Sequence, residues 1–428
     1  MNFLNQCVTV QGMTNGGPQA KTTEGLSLNA SFWRLWTSSG LSNLADGVFK
    51  IALPLMAVQL TQSPTLIAGL AVAATLPWLL FALTAGALAD RLDRRKLMLW
   101  ANLSRVVLPA VLIGVIILDL GSIWALYVVA LAVGVAETLY DTSAQSILPQ
   151  VVEKDQLSRA NGRLYAVELT ANQFIGPPLG GLLVGIGVVA GFAVPAALWL
   201  AAVGALLLLP GSFRVERTQK TTLRFDIKEG LKFLWNQKIL RTLALMTGIL
   251  NFASSAAFAV LVLFAVGPRS EMGLSDVGFG LLLTTSAVGA FVGSFIAEPV
   301  EAKLGRSKSL ALTILGCALF VGAPALTSNP FVLGAILFVG GMLVVLWNVI
   351  TVTLRQRIAP NRLLGRINSA YRLLAWGTMP LGAAAGGLLA QWLGLQSMFG
   401  IMGALTLALL AAMPILTEKA ITAAEASD

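Results

Sequence analysis

The chain is cut into about a dozen apolar runs, each close to the ~20 residues a helix needs to cross a bilayer. Bounded by Gly, Pro or charged clusters, they cover 36–60, 65–89, 97–118, 122–148, 163–188 and 191–210; after a polar stretch come 240–266, 276–299, 309–326, 330–354, 367–391 and 393–416. No soluble domain built around one core reads this way. Hydrophobic residues make up 56% of the 428 and charged residues 11%, so lipid is the solvent to reason with. Backbone polar groups in lipid must be paired within the segment that carries them. The expectation is an all-α membrane protein with twelve transmembrane helices.

The formal net charge of +9 would also suit a nucleic-acid binder, so the position of the cations decides. They alternate between loops. One set carries Arg91, Arg94, Arg95 and Lys96; Lys154 and Arg159; Arg214 to Arg241; Lys303, Arg306 and Lys308; and Arg355 to Arg366, whereas the opposite set has Arg269. By the positive-inside rule both termini are expected in the cytoplasm, and the basic balance reflects topology with no nucleic-acid partner. Residues 1–30 read as a flexible cytoplasmic tail and not as a signal peptide, and 417–428 as a second tail. Residues 211–238 form the longest internal polar segment, where Phe225, Ile227, Leu231, Phe233 and Leu234 alternate with charges. This is the pattern of an interfacial amphipathic helix linking two units.

Those units, 31–210 and 239–416, repeat one another. Ala85 opens AGALADRLDRRK and Ala297 opens AEPVEAKLGRSK, 212 positions on. Leu157, Arg159 and Asn161 return 207 positions later as Leu364, Arg366 and Asn368; Gly176, Gly180 and Gly181 return after 206 as Gly382, Gly386 and Gly387; Asn43 and Ala45 return after 208 as Asn251 and Ala253. Four matches in order, near one spacing, imply two pseudo-symmetric six-helix bundles rocking about a site at the midplane.

GALADRLDRRK, Gly86 to Lys96, resembles the signature loop of the major facilitator superfamily, with Asp93 where that family usually has Gly. The resemblance implies a cytoplasmic gate formed by Gly86, Asp90, Arg91, Arg94 and Arg95. In it Gly86 lets helices approach and Asp90 faces a helix N-terminus; the alternative is a basic signal that sets topology only. IGPPLGG is similar to the core of the antiporter motif of drug exporters, carried by Gly176, Pro177, Gly180 and Gly181, with Ala171 and Asn172 in place of upstream glycines. A packed, proline-bent helix accounts for it equally well. The segment Arg355 to Gly387, VVEKDQLSRANG and LSNLADGVFKIALPL closely resemble the branch that includes enterobactin exporters and macrolide efflux pumps.

Ionisable residues inside spans are costly and are the first functional candidates. Asp46 falls near the middle of the first span, with Lys50 a turn further on the same face. Glu137 and Asp141 share a face of the fourth span, a repulsive spacing unless a proton or a cation such as Arg105 intervenes. In the fold that the resemblance implies, the first and fourth spans line the central cavity. Asp46, Glu137, Asp141 and Glu168 are therefore the proton-coupling candidates, and Lys50 and Arg105 their charge partners. An internal Asp46–Lys50 ion pair and a structural gate of Asp141, Glu168 and Arg105 are the competing readings. Asn251, Trp347 and Asn348 are candidate cavity contacts from the second half.

The chain has no histidine, and Cys7 and Cys317 have no metal-ligand spacing, so no catalytic set, metal or cofactor is expected. A GxxxxGK[ST] loop is lacking, which argues against direct use of ATP. The expectation is therefore a monomeric transporter in a bacterial inner membrane, exchanging protons for small amphipathic molecules that leave the cell. Uptake, facilitated diffusion or lipid translocation on the same fold, and an intramembrane enzyme or sensor, are the alternatives.

Overall fold

The computed structural model describes residues 28–89, 91–153, 156–214, 223–360 and 363–425. The first half comprises α1 (Ala30–Leu60), α2 (Pro64–Ala89), α3 (Arg94–Ile117), α4 (Ile123–Val151), α5 (Leu157–Leu169), a π-helical turn (Thr170–Ile175), α6 (Gly176–Ile186) and α7 (Val188–Leu207). Then come α8 (Leu223–Asn236), α9 (Lys238–Ala265), α10 (Asp276–Leu304), α11 (Arg306–Gly322), α12 (Pro330–Ile358), α13 (Leu364–Leu393), α14 (Leu395–Leu407) and α15 (Glu418–Glu425). Among the described residues, eleven helices are long and apolar enough to cross a membrane, α14 together with its 3-10 extension Ala408–Ile415. The twelfth span is the fifth, made of α5, the π turn and α6.

Pro177 and Pro178 have no N–H, so two successive carbonyls lose their α-helical donors, and the π turn just before them takes up the change of register. Helices overrun the apolar runs mainly at the basic-loop end: α1 starts at Ala30 where 36 was expected, and α10 ends at Leu304 where 299 was expected. Backbone pairing continues where apolar side chains have stopped. Single glycines make two of the sharpest joints, Gly305 between α10 and α11 (φ 76°) and Gly394 between α13 and α14 (φ 83°). Left-handed backbone of this kind suits glycine.

The repeat has a direct counterpart in the contacts. A methyl group at Gly180 would collide with the backbone of Val48 in α1, and one at Gly386 with that of Ala256 in α9, 208 positions from Val48. The next glycine in each motif crosses to the other bundle: Gly181 abuts Asp276 and Val277 of α10, and Gly387 abuts Pro64, Thr65 and Ala68 of α2. Asp276 and Val277 follow Pro64 and Thr65 by 212. Both seams are therefore made by equivalent residues, α2 against α13 and α6 against α10.

These seams lie at the short-loop end, where Ser63 Oγ also donates to Gln391 Oε1 (3.2 Å). Nearer mid-helix, Trp78 meets Trp376 edge to face at 5.8 Å, and Gly377 packs on Leu79. Towards the basic loops Gly86 faces open space. The close helix approach expected at Gly86 is thus not made in this conformation.

The linker helix α8 sits on the second bundle rather than between the two: Gly230 packs on the Arg366 backbone of α13, and Glu229 pairs with Arg366. The side chains of Phe225 and Ile227 lie outside the described residues. The expected C-terminal tail contains α15, which is docked, with Ile421 fully buried. The first 27 residues of the expected N-terminal tail also lie outside the described residues, and α1 begins at Ala30 with Asn29 as its cap.

Candidate functional site

Three of the ionisable candidates occupy the centres of their helices: Asp46 is residue 17 of 31 in α1, Arg105 residue 12 of 24 in α3, and Glu137 residue 15 of 29 in α4. Helix packing brings them together in the first bundle.

Arg105 is fully buried, and its Nη1 lies 3.4 Å from Asp46 Oδ1, which is 3% exposed. It also donates to Ser42 Oγ (3.1 Å) and Asn102 Oδ1 (3.4 Å) and lies over the rings of Tyr140 (5.2 Å) and Trp199 (5.8 Å). The pair is at ion-pair distance but out of hydrogen-bond geometry, and Asp46 Oδ1, Arg105 Nε and Arg105 Nη2 have no hydrogen-bond partner among the described residues. A charge pair this deep persists only because each ion compensates the other.

Lys50 reaches the other way, donating to Glu137 Oε1 at 3.0 Å. The expected Asp46–Lys50 pairing is replaced by two separate pairs. Asp46 points towards Arg105 of α3, and Lys50, one turn on, points towards α4. From Ala45 to Ala57, Lys50 is the one exposed residue, at 49%, in a helix flanked by α2, α4, α5, α6, α7 and α9. It opens into the space between helices. Asp141, one turn from Glu137, is partly exposed and makes no ion pair or hydrogen bond among the described residues. With all five groups ionised the cluster carries one excess negative charge.

Arg105 is held beside Asp46 at mid-helix and makes no ion pair with Asp141 or Glu168 among the described residues. Glu168 accepts from Ser39 Oγ (3.0 Å), tying α5 to α1. In the second half, Asn251 Nδ2 donates to the Ala375 carbonyl (2.7 Å) and so links α9 to α13. Trp347 is buried, its Nε1 donating to Thr247 Oγ1 (3.1 Å), and the cavity contact expected of it is not made here. Asn348 is exposed.

In the signature loop, Asp93 caps α3 by accepting from the amides of Arg95 (3.0 Å) and Lys96 (3.3 Å), and also accepts from Ser212 Oγ (2.8 Å) and Phe213 N (3.1 Å). Partial burial raises the pKa of its carboxyl, but these four hydrogen bonds outweigh that and hold it below the usual value. Arg94 donates to the Ala89 and Ser146 carbonyls, and Arg95 to those of Leu206 and Leu207 (both 2.8 Å), so the two arginines cap helix C-termini within the first bundle. Arg91 is exposed, and Asp90 lies outside the described residues. Of the antiporter-like residues, Gly176, Pro177, Gly180 and Gly181 are all buried, Gly176 against Gly47 of α1.

A family model described as transmembrane secretion effector matches residues 26–428. The chain belongs to this family. Its membership of the major facilitator superfamily agrees with the twelve helices and with the curated relatives. The enterobactin exporter EntS of Shigella boydii is 27% identical, covering 81% of this chain and 82% of that one. The multidrug efflux pump Tap of Mycolicibacterium fortuitum is 27% identical over 83% of this chain and 88% of that one. Among solved structures, the nucleoside transporter NupG superposes with a TM-score of 0.72 at 14% identity, over 91% of this chain and all of that one. A bacterial ferroportin homologue in its inward-facing state gives 0.69 at 16% identity, over 93% of this chain and 99% of that one. These proteins are transporters, and the family member described here is a multi-pass membrane transporter, not an enzyme.

One intramembrane charge escapes the sequence reading. Arg372 is residue 9 of 30 in α13 and is exposed. Its signal was present, an arginine five residues inside the eleventh apolar run.

Proposed function

We propose that this family member is a proton-coupled exporter of small amphipathic molecules in the bacterial inner membrane, working as a monomer by alternating access. Its basic loops, and with them both termini, face the cytoplasm. On that orientation the bundles are sealed on the outside by the glycine seams and part towards the cell interior. The ferroportin homologue lends support, superposing better in its inward-facing state (0.69) than in its outward-facing state (0.61).

The observation that carries the reading is the mid-helix Lys50–Glu137 pair, of which Lys50 is half-exposed, beside Asp141, which makes no ion pair among the described residues, and backed by the buried Asp46–Arg105 pair. A carboxylate at that depth exchanges its proton against whatever neutralises it. Protonating Glu137 frees Lys50, and a solute entering the crevice competes for the same groups, which links proton entry to the rocking of the bundles. EntS and Tap give the substrate classes to try first, a siderophore and drugs.

Everted membrane vesicles provide the test. An imposed proton gradient should drive uptake of one of these solutes, and dissipating it should stop uptake. If the gradient has no effect, or if Asp46→Asn and Glu137→Gln both transport normally, proton coupling at this cluster is wrong. Counterflow without a gradient would favour facilitated movement.

A further inference from the structure

The second bundle presents a cationic, aromatic wall that the proton reading does not use. Arg372 stacks on Trp376, with its guanidinium carbon 5.0 Å from the ring centroid, and has no acidic partner among the described residues. Trp376 is 42% exposed and meets Trp78 of the first bundle edge to face at 89°. With Leu79 on Gly377, this ring pair marks where the bundles part. Arg372 is one turn from Trp376 on the same face, on the side where the crevice opens. The residue before it, Tyr371, carries a second arginine on its ring: Arg355 lies 4.1 Å from the centroid, and its Nε and Nη1 are buried without hydrogen-bond partners.

An arginine within a span is expensive unless something compensates it. Here the Trp376 ring face lies against it, and among the described residues no carboxylate pairs with it. Guanidinium groups on aromatic faces suit a flat anion, which pairs with the planar N–H fork while its ring continues the stack.

We infer that Arg372, Trp376 and Trp78 form a recognition site for solutes that carry an aromatic ring and an acidic group, with Arg355 adding positive potential behind it. This rests on the transport reading of the crevice and adds a substrate class to it. The ring lies on the Trp78–Trp376 pair and the acid on Arg372. A basic solute would meet repulsion on this wall, so the site selects for charge as well as shape.

Binding can be measured without a gradient, on purified full-length protein in phosphatidylcholine nanodiscs with radiolabelled 2-naphthoate. 2-Naphthylmethylamine serves as the cationic twin of the same ring. Naphthoate should bind more tightly than the amine. Arg372→Gln should weaken naphthoate binding at least tenfold and leave the amine unaffected, and Arg372→Lys, which keeps the charge but not the planar fork, should weaken it about threefold. Trp376→Leu should weaken both probes. Equal naphthoate binding by wild type and Arg372→Gln would overturn the proposal, as would tighter binding of the amine. A lipid headgroup is the other source of an anion: if phosphatidylglycerol in the nanodisc abolishes naphthoate binding at constant protein, the site belongs to lipid and the solute assignment fails. Because no proton gradient enters the measurement, these outcomes are independent of the vesicle test of coupling.

Discussion

The two bundles share a scaffold and differ in what they place at its centre. Carried across by the repeat spacings, Asp46 and Lys50 of α1 correspond to Ser254 and Phe258 of α9, both 208 positions on. Arg105 corresponds to Cys317 at 212, and Glu137 and Asp141 to Val344 and Asn348 at 207. Like Lys50, Phe258 is the one exposed residue between Ala253 and Ala265 of its helix, at 39%. One bundle therefore offers ions where the other offers an aromatic ring, an amide and a thiol. The second bundle holds the same architecture without these charges, so the charges of the first are additions that packing does not require.

The largest effect should come from giving the first bundle the residues of the second. Arg105→Cys alone leaves Asp46 buried and unpaired, which should cost about 3–5 kcal/mol and appear as loss of monodisperse protein in detergent. Asp46→Ser combined with Arg105→Cys should recover most of that stability while gradient-driven transport stays lost. If the single variant is as stable as wild type, the contrast between the bundles has no energetic content.

Glu137→Gln comes next. It should lower transport at least tenfold with little change in thermal unfolding, because Glu137 and Lys50 are not sealed in the core, whereas Val344→Gln at the matching place should transport near wild type. Equal losses at both positions would show that the asymmetry does not matter for coupling.

The glycines test the part that is symmetric. Gly181→Val and Gly387→Val should destabilise this conformation to a similar degree, by about 1–3 kcal/mol each, through overpacking against backbone. Gly86→Val faces open space here and should leave the unfolding temperature unchanged, yet slow transport if the bundles meet there in the alternate state. Unequal melting of the two seam variants would break the symmetry argument.

The smallest effects concern the starts of α3 and α11. Arg95 and Ser307 are 212 apart, and their equivalent amides are capped differently, Arg95 N by Asp93 of the same loop and Ser307 N by Glu418 of α15 (2.7 Å). Asp93→Asn and Glu418→Ala should each cost about 1 kcal/mol. Because the folded protein holds the Asp93 carboxyl below its unfolded value of about 3.9, its contribution is complete above that pH and disappears as pH falls through the folded value. The stability gap between wild type and Asp93→Asn should narrow on acidification; a gap that widens would contradict the capping role.

The architecture was legible because lipid makes periodicity and loop charge nearly sufficient: most spans begin and end within a few residues of the apolar runs, and the repeat of Gly180 and Gly181 as Gly386 and Gly387 announced the symmetry of the two halves. The partners were not legible. Spacing places Asp46 and Lys50 on one helical face, but which neighbour each side chain reaches depends on the rotation of α1 against α3 and α4, and apolar sequence encodes that weakly. Asp93, where the resembling family usually has Gly, has a physical account: where the second half bends at Gly305, the first stays in extended backbone and uses the side chain as a cap. Arg372 was overlooked because basic residues of the neighbouring loop run almost up to it.

The remote cap on α11 also bears on the order in which the protein is made. Asp93 meets its amide two residues away, as soon as that loop leaves the ribosome, but Glu418 must find Ser307 across 111 residues of chain. Closing so long a loop adds entropy that a local cap does not carry. The first bundle can therefore cap its α3 start while translation continues, whereas the start of α11 must wait for Glu418, so two equivalent helix starts mature at different stages of synthesis.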